Sequence, residues 1–587
     1  MVFPHGGARN IWRDRRIDGK TPFAARDPYK ATVRDWGRTL ERRIDEHGRQ
    51  YKNISQMLQD STDWSSGQKL TTEDGHSYRV VAPGETPHFY TTIGRGLRVA
   101  PAPSGRVSQK AFGAVGDGLT DDTAACQAAH DSGMPIEDEG TFLVSNLTAK
   151  VSVRGGAYMR KPGAYGNFVV TGAPGIMLDC AIDGADQSAD NLVIRHDGVI
   201  IGSNAIIRNA KVNGIFHING DNVEIYGQIL NARQTHLMVA VSDSDIKGLV
   251  IDTLVDGVGL GLGNINGGIK VHGNAQFAVI KPKITGLVKL LEHEDMHPNS
   301  VCIETFGNVI SPTITGSVIG GSIGCSMNNS PNGVASVQAR GQNNIGLEIT
   351  DASHGARFIE GSVAEAGDTV APNYCCQASG ADYIEFNVRT DSPTNARQAA
   401  SANVYLSFCN EVRVSGYANR TGGAQFLRIR GSNHVELNAL RCNGSGVQRA
   451  ILLDESNSTC DNILIKGCNF VGIENFIQAI GSYSGLKCTS SRIENAGILI
   501  AGGATVSGYQ FHSGTEIALH PFGSRGDIIN VLDFAPSDSL LEVWGGGSPE
   551  GYVKARVGSV YYDTSGGTGS TKFVKENGTG STGWAAK

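Results

Sequence analysis

The sequence contains no apolar run of 18 residues, no CxxC pair and few aromatic or charged residues. Without such a run it lacks a candidate membrane-spanning helix. Its first residues, MVFPHGGARNIWRDRR, also lack the apolar segment of a secretion signal. We therefore expect neither membrane insertion nor export by the general secretory pathway. The 11 cysteines show no metal-binding spacing, so we predict small buried side chains and no metal or other cofactor.

Low charge and high glycine content narrow the fold class. Charged residues make up 18% of the chain, against roughly 25% in ordinary domains. Glycine accounts for 77 of the 587 residues, about twice its usual share. Helical windows with 3.6-residue periodicity are missing between about residues 191 and 502, which excludes a helical solenoid. This composition favours a long all-β protein with many sharp corners.

A short phrase recurs through that stretch: a small polar residue followed by aliphatic residues at alternate positions. Examples are DNVEI at Asp221, GNVI at Gly307, CNEVRV at Cys409 and CDNILI at Cys460. The phrases start 23 to 38 residues apart, an interval typical of stacked units that bury their apolar faces against one another. Alternation of period two indicates strands with one buried face. The repeat therefore predicts a parallel β-helix whose corners carry loops of variable length.

The amino-terminal segment differs in charge from the remainder. Residues 1–52 carry a net charge of +6 and the rest −12, within an overall −6. Apolar residues at three-to-four spacing predict a helix over about residues 28–59, and a strand is predicted at Tyr78–Val81. We interpret the arm as a docking or self-associating helix. No nucleic-acid motif accompanies its basic residues, so we do not expect nucleic-acid binding.

The most specific motif is AFGAVGDGLTDDTAACQAAHDSG, which starts at Ala111. A strand leads into a turn at Gly116–Gly118, and a helix follows. Asp121 is predicted to be the N-cap of this helix, and Asp122 lies in its first turn. A compact alanine-rich helix of this kind is suited to covering the open end of a β-helix. The three aspartates of the motif are therefore interpreted as structural.

This motif resembles the amino-terminal signature of the pectate-lyase-like right-handed β-helix superfamily, in the form found in bacteriophage tailspikes. The preceding TTIGRGLRV, at Thr91, is similar to the segment that such tailspikes carry before the helix. The resemblance implies a homotrimer in the virion tail, made in the host cytoplasm and released by lysis. It also implies two partners: a tail or baseplate protein bound through the amino-terminal arm, and a bacterial capsular, exo- or lipopolysaccharide.

Four regions are predicted on these grounds: a helical virion-attachment arm (1–60), a neck and linker (61–107), the parallel β-helix (108–504, with its cap at 108–145) and a small carboxy-terminal β module (505–587). In the last region, alternating residues around Val560 and Phe573 predict a hairpin about a glycine-rich turn. The module resembles short carboxy-terminal modules of phage spikes, which close trimers or contact sugar. Trp584 is expected to pack there, with sugar binding as the alternative.

Ionisable residues are densest in LLEHEDMHPNSVCIET, between two strand phrases. Hydrolysis of a glycosidic bond requires an acid and a second carboxylate, whereas elimination requires a base and neutralisation of a uronate. The candidate catalytic residues are Glu292, Glu294, Asp295, His297 and Glu304, and His293 is a candidate for substrate binding. The alternative interpretation is an ordinary solvated acidic loop.

A second set of candidates comes from aligning the phrases around Ile251, Ile284, Ile314 and Ile349. The alignment gives Asp256, Lys289, Ile319 and His354 the same offset. It therefore predicts Asp256 and Lys289 on neighbouring rungs, with His354 in the same column. We take Asp256, Lys289 and His354 as candidate substrate-binding residues, with a purely structural surface ladder as the alternative.

Together these observations predict a tailspike that recognises and depolymerises a bacterial surface polysaccharide. A glycoside hydrolase is favoured over a lyase because acids outnumber bases in the best cluster. A non-catalytic receptor-binding spike with the same fold is the alternative. A free bacterial pectinase is disfavoured by the missing export signal and by the terminal arm and tail.

Overall fold

The computed structural model of the chain is nearly all β. It describes residues 35–39, 49–62, 64–164, 166–186, 190–260, 267–292, 297, 300–364, 373–392, 402–421, 425–454, 460–480, 482–494, 498–500, 505–507, 510–511, 516–518, 532–533, 542–545, 547–551, 553–563, 566–578 and 580–587. The chain divides into two compact units, residues 1–161 and 162–587. Among the described residues, no helix is long and apolar enough to cross a membrane.

Among its described residues, the first unit contains a small sheet of five strands. Its five strands are Arg49–Tyr51, Lys69–Thr72, Ser77–Val80, Phe89–Tyr90 and Gly96–Ala100. The predicted helix over residues 28–59 is wrong as a continuous element: residues 35–39 and Ile54–Gln59 are helical, but Arg49–Tyr51 pairs with Lys69–Thr72. The predicted strand near Tyr78 is confirmed. The other strands escaped prediction because each is short and bounded by turns.

The aspartate-rich motif folds as a strand, Asp117–Asp121, followed by a helix, Thr123–Asp131. The helix therefore begins one residue later than predicted, and Asp122 rather than Asp121 precedes it. The buried carboxylate of Asp122 accepts backbone N–H bonds from Val115 and Gly116 at 2.7 and 3.0 Å. Its role is structural, as the sequence predicted. A 3-10 helix, Gln109–Phe112, and strands Ile136–Glu137, Thr141–Val144, Leu147–Ala149 and Val153–Arg160 complete this unit.

The second unit is a right-handed parallel β-helix, as the repeat predicted. We call one of its faces the site face, because it carries the polar side chains described below. Its strands are Phe168–Val170, Asp190–Ile194, Asn213–Ile218, Thr235–Ala240, Gly267–His272, Val301–Phe306, Ile323–Asn328, Ile345–Thr350, Tyr374–Ser379, Ala402–Ser407 and Gln425–Arg430, then the second halves of Arg441–Asp454 and Asn469–Ile480, and Ile498–Ile500.

The second face holds the other long parallel ladder. Its strands are Met177–Asp183, Ile200–Ile201, Ile206–Arg208, Glu224–Ile225, Gln228–Leu230, Val250–Asp256, Lys283–Lys289, Thr313–Ile319, Val334–Arg340, Arg357–Ala364, Glu385–Ser392, Asn410–Thr421, Asn433–Asn438, Leu464–Lys466, Lys487–Thr489 and Gln510–Phe511. The first halves of Arg441–Asp454 and Asn469–Ile480, with Arg492–Glu494, Glu516–Ala518 and Glu542–Gly545, extend it. Short ladders are Ile246–Lys247, Val279–Ile280 and Val309–Ile310; Cys460–Asp461, Ser482–Ser484 and Thr505–Ser507; and Leu532–Asp533 with Val553–Lys554. Val258–Leu260 is a 3-10 turn.

Inward-facing aliphatics stack in columns along the coil. One column on the site face is Leu237, Ile269, Ile303, Cys325 and Leu347, all buried. All 11 cysteines are likewise buried, which confirms the prediction of small core side chains. Asparagines such as Asn209 and Asn231 turn corners with positive φ. Because each strand alternates inward and outward residues, these apolar columns place the polar columns on the outside.

Second-face strands bend where glycines stack between rungs. Gly286 and Gly316 are register partners. The φ of Gly316 is +139°, and a Cβ on it would lie 2.1 Å from the carbonyl oxygen of Gly286. A side chain at this bend would collide with backbone of the preceding rung, so the bend requires glycine.

The carboxy-terminal hairpin is confirmed. Val560–Asp563 pairs antiparallel with Lys572–Lys575, which pairs with Trp584–Ala586. The Trp584 side chain is buried: its indole Nε1 donates to the carbonyl oxygen of Val553 at 2.7 Å, and its ring meets Tyr561 edge-on. Trp584 therefore acts as the core of this module, and the sugar-binding alternative has no support in its packing.

Candidate functional site

A column of polar side chains runs along the outside of the site face. We call it the polar ladder; it consists of Lys270, Glu304, Ser326, Glu348, Gln377, Tyr405 and Arg428 in consecutive register. Each member lies between two inward-facing residues of its strand, as Lys270 does in Ile269-Lys270-Val271. Apolar packing on the inner side of each strand therefore fixes the side-chain direction on the outer side.

Glu304 lies at the centre of a compact charged cluster. Its Oε2 is 3.1 Å from Lys270 Nζ and 3.2 Å from His272 Nε2. The side chains of Lys270 and Glu304 are only 16% and 17% exposed. Burial acts to raise the pKa of Glu304, but the His272 hydrogen bond and the Lys270 charge outweigh it, so the pKa lies below its ordinary value. Glu304 is therefore held ionised.

Glu348, two rungs farther along, has the opposite electrostatic environment. Burial raises its pKa, and the negative charges of Glu304 and Asp351 raise it further. Ser326, on the rung between the two glutamates, donates its hydroxyl hydrogen to Glu348 Oε2 at 2.6 Å, which offsets only part of this rise. Glu348 therefore keeps its proton to a higher pH than an ordinary glutamate.

At one end, the polar ladder continues into a cluster of two tyrosines and an arginine: Tyr374, Tyr405 and Arg428. The rings of Tyr374 and Tyr405 stack with centroids 4.7 Å apart, and the Arg428 guanidinium lies 5.1 Å from the Tyr405 centroid. Arg428 donates to Asp454 and, at 3.1 Å, to the Tyr374 hydroxyl. The Tyr405 ring contacts Tyr374 and Arg428 and is itself partly exposed, so these three side chains form a wall on the site face.

The residues predicted from sequence fall in several places. Glu304 belongs to the ladder, but Glu292 is exposed in the corner before it, and His297 lies in the same corner, partly exposed. His293, Glu294 and Asp295 lie outside the described residues. Neither Glu292 nor His297 is a described partner of Glu304, which is paired instead with Lys270 and His272 of the preceding rung.

The register predicted for the second set of candidates, Asp256, Lys289 and His354, is partly correct. Asp256 and Lys289 are register partners on the second face, as expected, and Ile319 follows them. The placement of His354 in that column is wrong, because Arg340 occupies the next position. His354 instead follows the site-face strand Ile345–Thr350, and its Nδ1 accepts a hydrogen bond from the backbone N–H of Asp382 at 3.1 Å. The alignment failed because Ile349 belongs to the other face of the coil.

Sequence reasoning missed every member of the polar ladder except Glu304, and it also missed the neighbouring His272, Tyr374 and Asp454. A signal was present in the phrases Ile269-Lys270-Val271, Ile303-Glu304-Thr305 and Leu347-Glu348-Ile349, which place a polar residue at the same point of successive site-face strands. Finding it requires assigning each phrase to a face. Among the described residues, no group of three or more His, Cys, Asp or Glu side chains is arranged to hold a metal ion.

Comparisons with solved structures give the fold neighbours of this geometry. One is the amino-terminal fragment of bacteriophage phi29 gene product 12, which is 12% identical and covers 70% of this chain and 93% of its own, with a TM-score of 0.39. Another is the enzymatically active domain of tailspike protein 2 from bacteriophage CBA120, with 13% identity, 84% and 60% coverage and a TM-score of 0.21. The chain is similar in fold to phage tailspikes.

The catalytic domain of an enzyme is also among the solved structures that match. The catalytic domain of an α-1,3-glucanase, in complex with tetrasaccharides, is 11% identical and covers 54% of this chain and 68% of its own, with a TM-score of 0.27. No protein-family model matches the sequence. No curated protein sequence matches it either. At these identities the similarities concern the fold alone.

Proposed function

We propose that this protein is a phage tailspike enzyme that hydrolyses a bacterial surface polysaccharide. The observation that carries the proposal is the pair Glu304 and Glu348, whose environments move their pKa values in opposite directions on one exposed face. Such a split is how two carboxyl groups take the separate roles of base and acid. Glu348 supplies the general acid, which protonates the leaving oxygen, and Glu304 the general base, which activates water.

The spacing of the pair supports inversion at the sugar carbon. Glu304 and Glu348 are separated by the Ser326 rung, so their backbones are about 9.6 Å apart at the usual strand spacing. The Glu348 carboxyl group leans toward the Ser326 rung, where its Oε2 accepts the Ser326 hydroxyl at 2.6 Å, so this carboxyl group lies closer to the Glu304 rung than its own backbone does. Inverting glycosidases place their carboxyl groups roughly 6.5–9.5 Å apart to leave room for water. Elimination is disfavoured because Lys270 and Arg428, which could neutralise a uronate, are each committed to a carboxylate.

The remaining parts of the chain take the roles that the sequence suggested. The amino-terminal arm attaches the spike to a tail or baseplate protein, and the carboxy-terminal hairpin closes a homotrimer. The wall formed by Tyr374, Tyr405 and Arg428 limits the site on one side of the acid pair. A spike that binds polysaccharide without cleaving it remains the competing function.

Incubation with purified bacterial capsular, exo- and lipopolysaccharides tests the proposal. We expect new reducing ends and shorter chains from one of them, without the absorbance of unsaturated uronates. Unsaturated products would show a lyase and overturn the acid and base roles. Binding without any shortening would establish the non-catalytic spike instead.

The pH profile provides a further prediction. Activity requires Glu304 ionised and Glu348 protonated, so kcat/KM should fall at low pH as Glu304 gains a proton and at high pH as Glu348 loses one. Replacing His272 with Asn removes a contact that lowers the pKa of Glu304. The acidic limb should therefore move to higher pH while the alkaline limb stays in place, as measured by initial rates across pH.

His434→Asn is the matched control for this profile, because His434 is an exposed second-face histidine whose Nδ1 lies 3.1 Å from Asn410 Oδ1, away from the ladder. Its profile should follow the wild type. If His272→Asn shifted neither limb, or shifted the alkaline limb alone, Glu304 would not be the base.

A further inference from the structure

Two exposed phenylalanines lie along one edge of the site face. Phe306 is 44% exposed and Phe408 is 53% exposed. Phe306 is the outward residue two positions after Glu304, and Phe408 follows the outward Ser407 directly. Single exposed apolar side chains are common on protein surfaces, so the position of these two rings beside Glu304 and Glu348 is the informative feature. Both rings lie on the edge of the site face that runs beside Glu304 and Glu348, which suggests that a single ligand covers both.

Each ring is held in place by a neighbouring nitrogenous side chain. His272 packs against Phe306 with centroids 5.2 Å apart, and the Arg430 guanidinium lies 5.4 Å from the Phe408 centroid. Contacts of this kind fix the ring while leaving much of it exposed. An aromatic ring held in this way beside hydrogen-bonding groups offers a flat surface to the C–H face of a sugar.

Small polar side chains occupy the column between the two rings. Phe306, Asn328, Thr350, Ser379 and Ser407 are aligned on consecutive rungs. Asn328 and Ser379 are partly exposed. Asn328, Thr350, Ser379 and Ser407 are all small, so the edge is low between the two aromatic ends and can admit a polymer lying along the coil axis.

We propose that this edge is a saccharide-binding strip in which Phe306 and Phe408 each stack on a sugar residue at one end of a bound segment. The proposal rests on the proposed function, because it assigns the segment to the polysaccharide that the acid pair cleaves. Four rungs separate the rings, or roughly 19 Å at the usual strand spacing. The strip therefore accommodates about four sugar residues, since one residue is about as long as one rung.

The occupant is a linear saccharide rather than a protein segment or a second copy of the chain. The strip lies beside a carboxyl pair whose proposed substrate is a glycosidic bond, and its length exceeds that of a single sugar. Its two apolar groups are separated by polar ones, whereas protein interfaces gather apolar residues at a central core. Stacking at two separated points also aligns the axis of the polymer with the coil, beside Glu304 and Glu348.

The test uses an array of purified bacterial capsular polysaccharides and lipopolysaccharide O-chains, probed with the full chain carrying Glu348→Gln to prevent cleavage. Phe306→Ala and Phe408→Ala, each added to this background, are expected to weaken binding about tenfold, which corresponds to one lost aromatic contact. Phe306→Trp should restore binding, whereas Phe306→Leu should not. With oligosaccharides from the bound polysaccharide, affinity should rise with length and level off at about four residues.

Met177→Ala is the matched control, because Met177 lies on the second face with 43% exposure. It should bind like the parent, and circular dichroism should show every variant folded. Wild-type affinity in both phenylalanine variants would overturn the strip while leaving hydrolysis intact. Binding that depends on both rings, in a wild-type chain that cuts nothing, would support the strip and overturn the hydrolase. Failure to bind any polysaccharide would count against both.

Discussion

Replacing Glu348 with Gln is expected to lower kcat by roughly a thousandfold, within the range found for a lost general acid. Glutamine is nearly isosteric with the protonated acid, but it cannot transfer a proton to the leaving oxygen. Binding of polysaccharide should change little, since the amide can still accept the Ser326 hydrogen bond. Release of reducing ends under single-turnover conditions measures the chemical step directly.

The alkaline limb of the pH profile should disappear in this variant, because the group whose deprotonation causes it has gone. Glu360→Gln is the matched control: Glu360 is an exposed glutamate on the second face, and its replacement should leave kcat unchanged. A Glu348→Gln protein with wild-type kcat would refute the role of Glu348, and with it the proposed mechanism.

Replacing Gly316 with Ala is expected to destabilise the β-helix by about 3 kcal/mol or more, through backbone strain and a forced shift between rungs. The new Cβ would lie 2.1 Å from the carbonyl oxygen of Gly286, a separation that no side-chain rotation can relieve. The guanidinium concentration at the unfolding midpoint, followed by circular dichroism, measures the loss.

Gly467→Ala is the control that separates the steric collision of a new Cβ from the conformational free energy of a positive φ. Gly467 also has a positive φ, of 63°, but nothing lies within 4 Å of the position of its Cβ, so a loss of about 1 kcal/mol is expected. Equal midpoints for the two variants would show that the rungs at Gly316 move apart freely, contrary to the packing described.

The fold was predictable because it repeats. Alternation such as Val412-Arg413-Val414 marks a strand locally, and its recurrence gives the coil without knowledge of distant contacts. The amino-terminal sheet was not predictable in the same way: Arg49–Tyr51 is a strand because it pairs with Lys69–Thr72, a contact across a sequence gap that periodicity does not encode. Local propensity there favoured a helix, and tertiary pairing prevailed.

The site was harder to predict because a coil brings together residues far apart in sequence. Glu304 was found through its acidic neighbours in the chain, yet its partners Lys270 and His272 belong to the preceding rung. Glu348 stands alone in the sequence, and its raised pKa comes from burial and from Glu304. The sequence alignment paired Asp256 with Lys289 correctly because both belong to adjacent strands of the second face.

The rung that carries Ser326 sets the spacing of Glu304 and Glu348, and evolution could alter that spacing by deleting one rung. It acts as a spacer between the two carboxyl groups, and each rung of such a coil contacts chiefly its neighbours. Loss of that single coil would leave Glu304 and Glu348 on adjacent rungs, about 4.8 Å apart, close to the separation of roughly 5 Å that suits a covalent sugar intermediate. A deletion of one repeat could thus change the stereochemical course of the reaction, with neither carboxylate replaced.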